Sequence, residues 1–238
     1  MSDFSTRTEL LLGTDGMDAL FRSHVLIVGV GGVGGYAAEL LGRAGVGHMT
    51  LVDGDAVDVS NLNRQIIALR TTVGMNKPEV MAQRLEQACP GISVTTVCRF
   101  LGEDDIVPLL DSDRFDFIVD AIDSVGPKCM LIEKAFEYGI PIISSMGAGA
   151  RTHCAGVHLS KLSKTHHDGL SKAVRRRFKD TDIPSRLDVV FSEEQAIADA
   201  VIPASEHGAR PTVGTVSWLP AVFGCHIAQF VVEKITGK

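Results

Sequence analysis

The sequence predicts a doubly wound α/β domain with a mainly parallel sheet, followed by a C-terminal extension of mixed strands and a terminal helix. Three observations predict it. Residues 25–28 form a short, continuous apolar run rich in β-branched side chains, followed at once by a glycine loop and a helical pattern. Further apolar runs at 49–52, 92–98, 115–121 and 141–145 alternate with helical stretches. After Arg151 that alternation stops, and basic and turn-rich segments lead to an apolar stretch at 213–232. With 238 residues, 45% of them hydrophobic, the chain can bury a sizeable core. Residues 1–150 read as that core and 151–238 as the part that completes the same domain.

In chain order, residues 1–18 hold Arg7 and an apolar triplet at 10–12 ahead of a short helix at 16–21. Strand 25–28, helix 35–44 and strand 49–52 follow, with Gly45 and Gly47 closing the helix and turning the chain. Residues 74–89 read as a helix entered at Asn76-Lys77-Pro78, where proline suits the first turn. Strand 92–98, strand 115–121, helix 128–137 and strand 141–145 complete the alternation. Beyond it come a strand at 156–162, a basic helix at 170–179 and a turn-rich linker at 180–186. Strand 188–192, a surface loop at 193–211 and a packed helix at about 219–235 end the chain. The run at 213–232 is apolar, but Pro220, His226 and Gln229 interrupt it, which favours a buried helix over a membrane span. Trp218, Cys225 and His226 are expected there as core or lining residues.

The formal net charge of −6 implies a soluble protein whose nucleic-acid contacts, if any, are a local patch. No charged-then-apolar leader is read at the start. The five cysteines, Cys89, Cys98, Cys129, Cys154 and Cys225, include no Cys-x-x-Cys pair, so disulfides and a four-thiolate zinc site are not expected. A reducing, cytoplasmic setting fits. Cys154 has no visible thiolate-stabilising neighbour in sequence and is assigned no chemistry.

Strand, glycine loop and helix together place backbone N–H groups where a nucleotide phosphate can sit. Gly29, Gly31 and Gly34 satisfy the dinucleotide fingerprint of a Rossmann-like unit, with Gly32 a further glycine in the same loop, and Asp53 ends the next strand. That pattern alone suits NAD. Residues 53–65, D-G-D-A-V-D-V-S-N-L-N-R-Q, argue otherwise, because Asn61, Asn63, Arg64 and Gln65 suit a polyphosphate. A solvated loop with a surface ion pair is the plainer alternative. Lys77, beside a helix N-terminus, opposes the helix dipole unless an anion lies between them. Asp123 stands just past a strand end, where one carboxylate can hold magnesium beside phosphate oxygens or cap the next helix. Lys172, Arg175, Arg176, Arg177 and Lys179 make a local cationic helix on an acidic chain, suited to RNA phosphates or to solvent. His166, His167 and Asp168 raise the idea of a metal. Adjacent histidines diverge on any regular element, so loop roles are favoured.

By these motifs the chain resembles the ubiquitin-activating-type adenylating superfamily. The carrying stretches are G-V-G-G-V-G, L-V-D-G-D-x-V-D-x-S-N-L-N-R-Q, Lys77 and V-D-A-I-D-S. Within it the chain is similar to the tRNA threonylcarbamoyladenosine dehydratase branch, through F-S-T-R-T-E-L-L-L-G, N-R-Q-I-I-A, S-S-M-G-A-G-A-R-T and the basic helix. Its H-C-A-G run after Thr152 departs from that branch. The resemblance implies that residues 1–150 are an ATP-binding adenylation core and 151–238 the crossover loop, basic helix and closing segment. It implies nucleotide contacts from Gly29, Gly31, Gly32, Gly34, Asp53, Asp55, Asn61, Arg64, Gln65, Lys77, Asp123 and Ser124. Arg64, Lys77, Asp123 and Arg7 become the catalytic set, with Mg²⁺ on Asp123 and Arg7 reaching a partner subunit's ATP in a homodimer. The expected partner is tRNA bearing threonylcarbamoyladenosine, met by Lys172, Arg175, Arg176, Arg177 and Lys179. A monovalent cation and a sulfur-relay protein are optional additions, and no membrane is involved. The alternatives are adenylation of a small sulfur-carrier protein's C-terminal glycine, a non-enzymatic scaffold subunit, and an NAD dehydrogenase.

Overall fold

The structure, a computed structural model, describes residues 4–202 and 212–238. Seven strands form one sheet: β1 (His24–Val28), β2 (His48–Val52), β3 (Ser93–Val97), β4 (Phe117–Asp120), β5 (Ile142–Ser145), β6 (Val157–Lys161) and β7 (Asp188–Ser192). Their order is β3-β2-β1-β4-β5-β7-β6, parallel throughout except for antiparallel β6 at one edge. The order reverses direction at β1, so the crevice past the carboxyl ends of β1 and β4 is the natural ligand site of such a sheet.

The helices cover both faces. α1 is Thr6–Arg22, α2 Gly34–Ala44, α3 Lys77–Ala88, α4 Ile106–Asp111, α5 Val125–Tyr138, α6 Gly169–Arg177, α7 Ile183–Arg186 and α8 Trp218–Thr236. On one face α2 and α8 bury Leu41, Phe223 and Ile227 against Ile27, Leu51 and Val119. On the other, α4, α5 and α6 bury Leu109, Ile132 and Val174 against Leu26, Val28 and Ile118. Each central strand is therefore covered twice, which is why its sequence is apolar without alternation. β6 and β7 extend the same sheet, and α8 packs on α1 and α2, so residues beyond 150 share both cores.

Several expectations need revision. The first helix starts at Thr6, ten residues earlier than expected, and is interrupted at Gly13 (φ 71°), which hid its continuity in the sequence pattern. Residues 106–111 are helical and 183–186 form one further turn. The expected loop at 193–211 is partly structured: 201–202 and 212–213 pair as short antiparallel strands, and residues 203–211 lie outside the described ones. Trp218 and Cys225 are exposed rather than buried, and His226 is half-buried. The Trp218 indole N–H donates to the Thr152 carbonyl at 2.8 Å. Among the described residues, no helix is long and apolar enough to cross a membrane.

Candidate functional site

A crevice of about 370 Å³ opens at the carboxyl ends of β1, β2 and β4. Its floor is the glycine loop. Gly29 has φ 95°, and a Cβ there would lie 2.6 Å from the Ala121 carbonyl oxygen. At Gly34 a Cβ would fall 1.8 Å from the Gly29 carbonyl oxygen, so the loop cannot close into α2 with a side chain there. Gly31 and Gly32 also line the crevice, and α2 begins without a side-chain cap on its first turn. Uncapped N–H groups at a helix start are an anion-binding feature.

The far wall is built by the segment after β2. The Asp53 carboxylate accepts the Val30 N–H at 2.7 Å and the Asp55 N–H at 2.8 Å, tying that segment to the glycine loop. Asp58 then caps the turn that follows, accepting the Ser60 N–H; these bonds hold its carboxyl below the usual range. Asn61, 7% exposed, accepts the Asp58 N–H in return. Arg64 donates to the Ser60 carbonyl at 2.8 Å and to Asn63 Oδ1 at 2.9 Å, and its side chain lines the crevice. Asn63 does not line it; its amide donates to the Thr215 carbonyl at 2.9 Å. The buried Gln65 carbonyl oxygen Oε1 has no hydrogen-bond partner. A buried amide oxygen left without a donor costs about 1–3 kcal/mol, which a polar ligand in the crevice would relieve.

Lys77 opens α3 and is 5% exposed, its ammonium 2.7 Å from Asp55 Oδ2, the only salt bridge it makes among the described residues. Asp123 and Ser124 line the opposite wall, where β4 passes into α5. All twelve nucleotide-side residues named from sequence, Gly29 to Ser124, therefore face one cavity. Arg7 does not: it lies exposed on α1, away from the crevice lining.

Sequence reading missed two groups. Arg99, Phe100 and Leu101 also line the crevice. They follow β3, and the rule that ligands gather at strand carboxyl ends would have found them. The second is a buried network behind the wall. Lys128, fully buried, donates to Asp120 Oδ2 at 2.6 Å, Ser144 Oγ at 2.9 Å and the Ser145 carbonyl at 3.0 Å. Its only sequence signal is a lysine amid apolar neighbours on one helix. Asp120, read as satisfying nearby backbone, does so through Oδ1 to the Ile122 N–H at 3.0 Å, and in addition pairs with Lys128.

Beside the crevice, Asp168 caps α6 by accepting the Ser171 N–H at 2.9 Å. Its carboxylate also accepts the Gly147 N–H at 3.3 Å and lies 3.7 Å from Arg151. Arg151, 3% exposed, donates to four carbonyls, those of Gly147, Gly149, His167 and Glu194. The crevice lip and the start of α6 are thereby one unit, and Leu170 of α6 lines the cavity. Of the cations on and after α6, Lys172, Arg176, Arg177 and Lys179 are exposed. Arg175 departs from expectation: it turns inward and donates to the Thr165 carbonyl, to Thr165 Oγ1 and to Ser171 Oγ. Those buried acceptors use donors that RNA would otherwise meet.

Comparisons with known proteins agree with this geometry. The ThiF family model matches residues 5–238. The chain is 38% identical over 192 residues to the tRNA threonylcarbamoyladenosine dehydratase of Bacillus subtilis, covering 81% of this chain and 75% of that protein. It is 34% identical over 249 residues to the enzyme of the same name from Escherichia coli, covering 97% and 92%. The E. coli dehydratase TcdA, solved in complex with ATP, superposes with a TM-score of 0.89 at 33% identity, covering 98% of this chain and 93% of that one. The molybdopterin-synthase adenylyltransferase of E. coli is 38% identical, but over 137 residues and 58% of this chain. This chain belongs to the ThiF family.

Proposed function

We propose that this protein is an ATP-dependent tRNA threonylcarbamoyladenosine dehydratase. The observation that carries it is the crevice itself: open glycines, a buried lysine, a half-buried arginine and an orphaned amide oxygen, on a chain similar along its length to dehydratases, one of them solved with ATP. The triphosphate lies on Gly31, Gly32 and the start of α2. Lys77 leaves Asp55 for phosphate oxygens, and Arg64 and Gln65 hold the nucleotide. Asp53, already fixing the glycine loop, stands where a ribose is bound. The donor set suits magnesium, with Asp123 as its carboxylate; the ion would neutralise charge on the polyphosphate.

In the first step a threonine carboxylate oxygen attacks the α-phosphorus and pyrophosphate leaves, giving an acyl adenylate. Arg64 and Lys77 stabilise the charge gathering on the departing pyrophosphate. A ureido heteroatom of the same side chain then attacks the acyl carbon and loses its proton, and AMP departs with the carboxyl oxygen. The net change is loss of water. The nucleophile is tethered, so no enzyme thiolate is required, and positioning supplies the rate. A monovalent cation and a sulfur-relay protein are optional additions to these steps. The protein acts in the cytoplasm as a homodimer, supported by Leu10 and Leu11, each over 80% exposed on the helix that carries Arg7. Arg7 then reaches the partner's ATP. The exposed cations on and after α6 hold the tRNA.

The test is mass spectrometry of nucleosides after incubating threonylcarbamoyladenosine-bearing tRNA with protein and ATP. The modified nucleoside is expected to lose the mass of one water, with AMP formed in step. Unchanged nucleoside from an ATP-binding sample overturns the proposal. AMP formation that depends instead on a small protein with a Gly-Gly tail indicates the sulfur-carrier reading.

A further inference from the structure

The adenylation chemistry leaves the pair His166–His167 without a task, and the structure displays that pair with some care. His167 adopts φ 54°, a left-handed conformation that side-chain-bearing residues rarely hold. It is held there on both sides. Arg151 grips the His167 carbonyl at 2.6 Å, and the next residue, Asp168, is fixed as the cap of α6. Two residues before His167, Arg175 fastens the Thr165 carbonyl at 2.8 Å to the same helix. The turn between these anchors therefore cannot drift relative to α6. Both rings are nonetheless exposed.

The rings also pack on one another. His166 and His167 lie edge to face with centroids 4.9 Å apart, and His166 rests edge to face on Phe191 at 5.4 Å. Phe191 is buried, so the pair stands on the core of the sheet. A metal is a poor explanation, since among the described residues no three His, Cys, Asp or Glu side chains gather to hold one. Exposed cations bracket the pair in sequence: Lys164 two residues before His166, and Lys172 and Arg176, four apart on α6, beyond the capping Asp168.

Rigid aromatic faces flanked by cations are what unpaired RNA bases need, because every base has a π-face and a phosphate beside it. We propose that His166 and His167 form the base-stacking platform of the RNA interface, receiving unpaired bases of a hairpin loop while Lys172 and Arg176 hold its backbone. This deepens the dehydratase reading and rests on it. The inward turn of Arg175 has its explanation here: it fixes the platform instead of touching the RNA.

The test uses fluorescence anisotropy with a labelled RNA hairpin carrying a seven-base loop, and with a duplex RNA of equal charge. His167→Asn keeps a residue type that tolerates the left-handed turn but removes the ring; His167→Tyr restores an aromatic face. With His166→Ala added, the Asn variant is expected to bind the hairpin about tenfold more weakly, by the usual worth of one stacked base. Its duplex affinity, ATP affinity and slope of affinity against salt should stay as in the parent, because no phosphate contact is lost. The single Tyr variant should bind the hairpin like the parent. A Lys172→Glu/Arg176→Glu variant should instead weaken both RNAs and flatten the salt slope. If the double histidine variant binds the hairpin within twofold of the parent, or loses hairpin and duplex equally, the platform is refuted while the dehydratase reading stands. If the parent binds neither RNA, both fall.

Discussion

Lys77 and Lys128 are both buried lysines in the first turns of helices bordering one crevice, yet their surroundings differ in kind. Lys128 is fully buried and has three acceptors, Asp120, Ser144 and the Ser145 carbonyl, which match the three protons of its ammonium. Among the described residues Lys77 has one acceptor, Asp55, whose side chain is 48% exposed. A saturated cation in a dry site is part of the fold, because removing it strands a buried carboxylate. A cation held by one half-solvated carboxylate can change partners, since water receives Asp55 when a phosphate takes Lys77. The same residue type is thus saturated behind the wall and singly held on its surface, where the proposed phosphate contact can replace its one partner.

The largest expected effect sharpens that difference. Lys128→Ala leaves Asp120 charged and buried, and should cost about 3–5 kcal/mol of stability. Denaturant unfolding reads this directly as a lower midpoint at unchanged slope. The double variant Asp120→Asn/Lys128→Met, with no charge left behind, should recover part of the loss. If Lys128→Ala unfolds at the parent's midpoint, the pin is not structural. Lys77→Met should do the opposite. Its unfolding midpoint should stay near the parent's, while ATP-dependent formation of AMP with modified tRNA falls about 10²–10³-fold. A Lys77→Met protein of normal activity would show that the crevice lysine meets no phosphate.

The contrast also marks what sequence could reveal. The crevice lining was legible because its parts are local: the glycine loop lies within one turn, and Asp53 to Gln65 within one segment. Its backbone geometry is enforced by residue type, as at Gly34, so the letters carry the shape. The Lys128 network was not legible, because its three acceptors stand 8, 16 and 17 residues away and meet it only once β4 and β5 pair. Arg151 was hidden for the same reason, with Glu194 43 residues distant. Arg175 looked like its neighbours Arg176 and Arg177 in composition. Only the fold of residues 165–168 against α6 shows that it points inward. α1 was read short because Gly13 interrupts its pattern, and the paired residues 201–202 and 212–213 are too few to show a period.

At the opposite end of the sheet, far from either lysine, His24 supplies the smallest effect, and one that pH controls. Its Nε2 lies 2.9 Å from Thr50 Oγ1, and its ring packs edge to face on Phe115 at 4.8 Å. Burial lowers its pKa from the ordinary 6.5, partly opposed by Asp113, whose carboxylate is 3.5 Å from Nδ1; His48 nearby lowers it and Asp116 raises it. Because the folded value is depressed, the unfolded chain takes up a proton first as pH falls. This contribution to stability is therefore complete above about pH 6.5 and is lost as pH falls through the folded value. His24→Gln can keep the bond to Thr50 without titrating. Between pH 8 and pH 5 the parent's Tm should fall more steeply than that of His24→Gln. Two parallel curves would mean that the imidazole titrates alike in the folded and unfolded chain, and that its burial has no consequence for stability.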